Sequence, residues 1–173
     1  MRIKRDYFGA IRRFWEWFIS RFKPLAVHTE LIMDDDTWEI IKKKCKQKCV
    51  KVWHVMTPIN YELYKTSFNI KLSKKKVSEI MRERYLWMKN NGQNLQLHIH
   101  LSLTMKNMTY KEQDKIFKGS LDWMKKELKI IPSEFVPGWW SFNDDTLKLC
   151  KKYNLKMIYE RDYDYTHDYH WVL

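Results

Sequence analysis

The sequence predicts an α/β protein in which strands and helices alternate and the strands pair in parallel. Three observations carry this. Leu95-Gln96-Leu97-His98-Ile99-His100-Leu101-Ser102-Leu103 alternates without a slip, with Leu and Ile on one parity and Gln96, His98, His100 and Ser102 on the other. That is the period of a strand. From Pro24 onward, strand-like and helix-like segments follow one another in turn, which implies parallel pairing through right-handed crossovers. The length of 173 residues, with 45% apolar and 16% aromatic residues, suits one domain with a substantial core. Four Gly and four Pro are too few for a linker-rich or disordered chain.

Residues 1–24 form a separate unit, read as a basic amphipathic helix. Phe8, Ile11, Phe14, Trp15, Phe18, Ile19 and Phe22 fall at helical spacing, and Arg12, Arg13 and Arg21 interrupt them. The broken apolar run does not fit a secretory signal. It is also too charged and too short to span a bilayer. Such a helix can lie on an anionic membrane, pack on its own domain, or pair with a second subunit in a homo-oligomer. Pro24 ends it, and residues 25–173 form the main domain.

Within that domain, Leu25–Met33 reads as a strand and Asp34-Asp35-Asp36 as a polar loop. Thr37–Lys48 is a basic amphipathic helix, with Asp36 expected as its cap. Val50–Met56 is a strand closed by Thr57-Pro58. Ser73–Asn90 is a helix capped by Ser73 and ended by Asn91-Gly92. Thr109–Leu128 is a long helix with Thr109 and Glu112 spaced as a capping box. A loop holds Pro132, Pro137 and Gly138. Asn143–Tyr153 is a helix and Leu155–Tyr159 a strand.

The formal net charge of +12 favours acidic partners: nucleic acid, anionic lipid or an anionic polymer. Lys42–Lys44 and Lys74–Lys76 read as solvated helix faces. Cys45, Cys49 and Cys150 form no C-x-x-C pair, and an odd count suits a reducing compartment. With no secretory signal, the expected address is the cytoplasm, with residues 1–23 available for contact with the inner membrane surface.

In parallel α/β folds, ligands sit beyond the carboxyl ends of the strands. Three polar clusters are expected there: Asp34-Asp35-Asp36, His98 with His100, and Pro137-Gly138-Trp139-Trp140. One Asp and two His make a donor set that zinc, cobalt, nickel or iron accepts. Three protein ligands leave a position for water, and a second carboxylate could take a proton from it. His54, beside Trp53 at the end of a strand, reads as structural.

These residues resemble the polysaccharide deacetylases of the NodB-homology group. Ile32-Met33-Asp34-Asp35-Asp36 is similar to that family's T-F-D-D-G motif. His98 and His100 resemble a shortened form of its H-x-x-x-H motif, in which Ser102 takes the place of the second His. Phe135-Val136-Pro137-Gly138-Trp139-Trp140, followed by Asn143 and Thr146-Leu147-Lys148, resembles its third motif. The order and spacing match from about Leu25 to Tyr159. The resemblance implies a distorted or incomplete (β/α) barrel and metal-dependent removal of an acetyl group from an N-acetylated sugar or related amide.

In that reading Asp34 is the general base, and Asp35, His98 and His100 hold a divalent transition metal. Zinc is the first choice, with cobalt, nickel and iron as alternatives. His167 or His170 is the general acid, and Pro137, Gly138, Trp139 and Trp140 bind substrate. Three departures stand out. Val136 replaces the family's Arg, Asp36 replaces its Gly, and the region after the third motif is short. Two other readings stay open: a catalytically degenerate glycan-binding protein, and a basic protein that binds nucleic acid or cleaves phosphodiesters.

Overall fold

The computed structural model describes residues 25–47, 50–100 and 107–165. The N-terminal unit 1–24, Cys49, Ser102, His167 and His170 lie outside the described residues. Six strands form one sheet: β1 (Leu25–Thr29), β2 (Val50–Val55), β3 (Leu95–Ile99), β4 (Glu134–Pro137), β5 (Lys156–Met157) and β6 (Asp164–Tyr165). Their order is β5-β4-β3-β2-β1-β6, and every pairing is parallel. Among the described residues five α-helices accompany them: α1 (Asp35–Gln47), α2 (Tyr61–Ser67), α3 (Lys74–Asn90), α4 (Tyr110–Trp123) and α5 (Asp144–Lys152).

Local chemistry sets the helix ends. The Asp34 carboxylate accepts the Thr37 backbone N–H at 2.8 Å, so the cap of α1 is Asp34 and not Asp36. Ser73 caps α3 by accepting the Lys76 N–H. Thr109 and Glu112 form the expected capping box of α4. Asn143 and Thr146 do the same for α5, which has Asp144 and Asp145 in its first turn and Lys151 and Lys152 in its last. Helix α4 runs on into a π turn, Met124–Leu128, and stops at Lys129, whose φ of 55° lies in the left-handed region.

Three assignments change. The first strand stops at Thr29 and not at Met33, because Asp34 N–H turns back onto the Leu31 carbonyl. The supposed loop around Pro137 contains a strand, β4, paired on both sides. Residues 58–72, left unassigned by the sequence pattern, hold a turn at Pro58 and then α2.

The two faces of the sheet differ. Val27, Trp53, Val55, Leu95, Leu97, Ile99 and Phe135 pack with Met81, Tyr85, Met88, Phe117 and Met124 in the main core under the helices. On the other face, Ala26, Val52, Val136 and Ile158 form a second small cluster with Trp140 and Tyr163. These residues come from opposite parts of the sheet. Tyr163 stands just before β6, yet its hydroxyl bonds Glu134 on β4, four strand positions away. In a flat sheet four spacings amount to about 19 Å, far beyond a tyrosine's reach. The sheet is therefore curled, and its second face is the interior of an incomplete barrel. This explains why β3 is buried on both faces although Gln96 and His98 on one of them are polar.

Gln96 fixes the register of this interior. Its side-chain oxygen accepts the backbone N–H groups of Ser133 and Glu134 at 2.8 and 2.9 Å. It thereby satisfies the donors that lead into β4. Gln96→Leu should leave both without a partner and cost about 2–4 kcal/mol, read from urea unfolding. A loss below about 0.5 kcal/mol would show that β4 is held by other means.

Candidate metal centre

Alternation on β1, β2 and β3 sends one parity of each strand into the barrel. From β1 come Ala26, His28 and, one residue past the strand, Glu30. From β2 come Val52 and His54. From β3 come Gln96, His98 and, just past the strand, His100. All of the polar members are buried, and Glu30 is only 4% exposed. His28 and His98 stack with ring centroids 4.6 Å apart. His98 and His100 meet edge to face at the same separation.

The carboxylate of Glu30 lies at the centre. His100 Nε2–H donates to Glu30 Oε1 at 2.9 Å. His98 Nε2 lies 3.5 Å from the same oxygen. The His98 tautomer is set from behind, because its Nδ1–H donates to the Val136 carbonyl at 3.1 Å. Nε2 therefore carries a lone pair, and it has no hydrogen-bond partner. Burial pushes the His98 pKa down to about 4, with the Glu30 carboxylate opposing that shift. His28, Glu30 and His98 each bring one ligand atom within 4.8 Å of the others.

Neighbouring groups hold this cluster in place. The Asn60 amide donates to the His100 carbonyl. A Cβ on Gly138 would fall within the His100 ring, so only glycine lets the chain pass there. The next two residues, Trp139 and Trp140, both have left-handed backbone, with φ of 55° and 52°. For non-glycine residues that conformation is strained, and such strain collects at functional sites. Trp139 packs edge-on against His100 and stays 51% exposed. Trp140 tilts against His28 and borders an open cleft with Phe142, Tyr159, Glu160 and Arg161.

A second layer lies deeper in the barrel. The Tyr163 hydroxyl donates to Glu134, and His54 Nε2 stands 3.6 Å from Glu134 Oε2. His54 also meets the His28 ring edge to face. Burial lowers the His54 pKa, while Glu134 works against the shift. His54 and Tyr163 hold the Glu134 carboxyl below the usual range despite partial desolvation.

The structure gathers His98, His100, Pro137, Gly138, Trp139 and Trp140 at one mouth. It places Asp34 and Asp35 elsewhere. Asp34 caps α1, and Asp35 forms an ion pair with Arg84 of α3 while its side chain remains 90% exposed. Arg84 also donates to the carbonyls of Ile32 and Asp34, so this acidic turn clasps α1 to α3. Val136, which stands where the family has Arg, contributes its carbonyl to His98 and its side chain to the interior cluster.

The sequence reading did not single out His28 or Glu30. A signal was available: His28 and Glu30 share the parity of Ala26, as His98 and His100 share that of Gln96.

No protein-family model and no curated protein matches this sequence. Solved structures do match its fold. A family 4 carbohydrate esterase from Streptomyces lividans, in complex with acetate, aligns with a TM-score of 0.59 at 10% identity, over 80% of this chain and 62% of that one. A CE4 family pseudoenzyme from Bacillus anthracis gives 0.58 at 12%, over 80% and 43%. The peptidoglycan deacetylase PdaC from Bacillus subtilis gives 0.53 at 16%, over 79% and 58%. The fold is thus that of the CE4 polysaccharide deacetylases, in divergent form. The chain spans less than two thirds of the length of each of these proteins.

The depressed His98 pKa makes a testable statement about the metal-free protein. The unfolded chain binds a proton near pH 6.5, the folded one near pH 4. Folding stability should therefore be level above about pH 6.5 and fall by on the order of 3 kcal/mol down to about pH 4. Urea titrations of chelator-treated protein, wild type against His98→Gln, measure this. Equal pH dependence in the two would show that His98 is not the buried neutral group.

Proposed function

We propose that the interior cluster holds a divalent transition metal on His28, Glu30 and His98, and that the protein is a hydrolase that removes an acetyl group from an N-acetylated sugar or related amide. One observation carries the reading: a buried carboxylate faces the unprotonated, unpartnered Nε2 of His98. Two electron-rich atoms face each other in a buried site, an arrangement that a cation between them relieves. The Nδ1–H to carbonyl bond behind His98 is also how metal-binding imidazoles are commonly oriented. Two imidazoles and a carboxylate suit zinc first, and cobalt, nickel or iron as well. A metal there would polarise the acetyl carbonyl and acidify a bound water.

The remaining work falls to the chain. With its Nε2–H given to Glu30, His100 keeps a lone pair on Nδ1, and this is the nitrogen that would take a proton from the attacking water. Gly138 packs directly against that ring, in the space where any other residue would carry a Cβ. The exposed face of Trp139 and the cleft beside Trp140 suit the apolar face of a sugar. The acid that protonates the leaving amine is His167 or His170, as the resemblance to the deacetylases implies. The neighbouring folds include an esterase holding acetate and a peptidoglycan deacetylase, which favours an acetylated carbohydrate as substrate.

A second reading has its own observation. With Asp34 and Asp35 engaged at the start of α1, Glu30 is the one carboxylate in the metal-binding group among the described residues. A site with one acid where two were expected suits a protein that binds glycan without turning it over. The Bacillus anthracis neighbour is a pseudoenzyme of this fold.

Metal content by plasma mass spectrometry and acetate release from N-acetylglucosamine oligomers separate these readings. Glu30→Ala and His98→Ala should lose the metal, and Asp35→Ala should keep it. His100→Gln should keep the metal and lower acetate release by about 10²-fold or more. Bound metal with oligomer binding but no acetate release in the wild type would establish the glycan-binding reading. Metal lost in Asp35→Ala but kept in Glu30→Ala would overturn the ligand set.

A further inference from the structure

We propose that the pole of the barrel opposite the candidate metal centre docks on an anionic lipid bilayer. Ile131 is 80% exposed, the highest value among the exposed large apolar residues described. It lines an open cleft with Lys125, Lys126, Lys129 and one acid, Asp122. The three lysines are all exposed. The Lys89 ammonium pins this corner by donating to the Leu128 carbonyl at 2.8 Å. An apolar knob ringed by lysines combines insertion into the headgroup region with attraction to negative lipid.

Topology gives this patch a companion. Ile131 lies just before β4 and Leu25 opens β1, and all strands are parallel. Both therefore lie at the amino-terminal pole of the barrel. The chain that enters β1 there carries, in residues 1–23, seven basic against two acidic side chains, together with Trp15, Trp17 and four phenylalanines. This segment and the Ile131 corner are both positively charged. The same charge and the same aromatic-apolar character suit both to one surface, a negatively charged bilayer. No described helix is long and apolar enough to cross a membrane. Glu30, His100 and Gly138 lie at the carboxyl ends of the strands. Docking at the Ile131 pole thus turns the mouth of the site away from the lipid, whatever chemistry the site performs.

Co-sedimentation of the full chain with vesicles tests this, using phosphatidylcholine alone and phosphatidylcholine mixed with phosphatidylglycerol. The protein should partition onto the mixed vesicles only, and less so as salt is raised. Replacing Lys125, Lys126 and Lys129 with Gln should weaken partition about fivefold per lysine. Ile131→Asp should weaken it as well, with circular dichroism unchanged because all four side chains are exposed. The proposal is overturned if the wild type ignores the mixed vesicles or if the variants bind them as the wild type does. It is equally overturned if the variants lose only a salt-sensitive gel shift with duplex DNA or RNA, which would make the patch a nucleic-acid surface.

Discussion

A carboxylate buried in protein needs compensation, or its burial costs several kcal/mol. Glu30 lies inside the barrel, with His100 bonded to it, His98 beside it, and His28 close enough to share a ligand position. Much of the local architecture follows from keeping these groups in register. His98 presents Nε2 only because the Val136 carbonyl takes its other nitrogen, and that requires β4 to lie against β3. The chain leading into β4 is held in turn by Gln96. His100 keeps its place only because residue 138 has no side chain. The strained Trp139 and Trp140 that follow are the continuation of that close approach.

The apolar face of the sheet makes this affordable. Helices α1 to α4 cover it with a core that includes Trp53, Tyr64, Tyr85, Phe117 and Phe135, all fully buried. Burial of such side chains is worth about 1.5–3 kcal/mol each. The interior face can then carry four histidines and two glutamates in two layers, Glu30 with His28, His98 and His100 above, and Glu134 with His54 and Tyr163 below. In the lower layer the Tyr163 hydroxyl bonds Glu134, and His54 Nε2 lies 3.6 Å from the same carboxylate. The upper layer differs in bringing three ligand atoms, from His28, Glu30 and His98, within 4.8 Å of one another. That convergence distinguishes a site from a packed polar interior.

Much of the fold was legible in the sequence. Alternation over residues 95–99, the caps at Ser73 and Thr109 and the helix that starts at Asn143 are local signals, and these reappear in the described fold. Strand β4 was hidden because Pro132, Pro137 and Gly138 mimic a loop, whereas Pro137 in fact closes a short strand. Helix α2 is only a few residues long and too polar to show a period. At the site, His98 and His100 could be read because their strand alternates cleanly. Glu30 does not stand out, although it shares the parity of Ala26 and His28, because Leu25–Met33 reads as one strand and the acidic triplet behind it looks more like a ligand source. The decision depends on where β1 ends, and that is set by the Leu31–Asp34 turn and the Arg84 clasp, a contact with a residue 50 positions away. No local pattern encodes it.

The central claim is that His28, Glu30 and His98 converge on one metal ion inside the barrel. X-ray absorption at the zinc edge, on protein loaded with one equivalent of zinc, tests it most directly. The account predicts a first shell of nitrogen and oxygen at about 2.0–2.1 Å with the outer-shell scattering of at least two imidazoles. Binding through oxygen alone, or a first shell containing sulfur at about 2.3 Å, would place the metal elsewhere and contradict it.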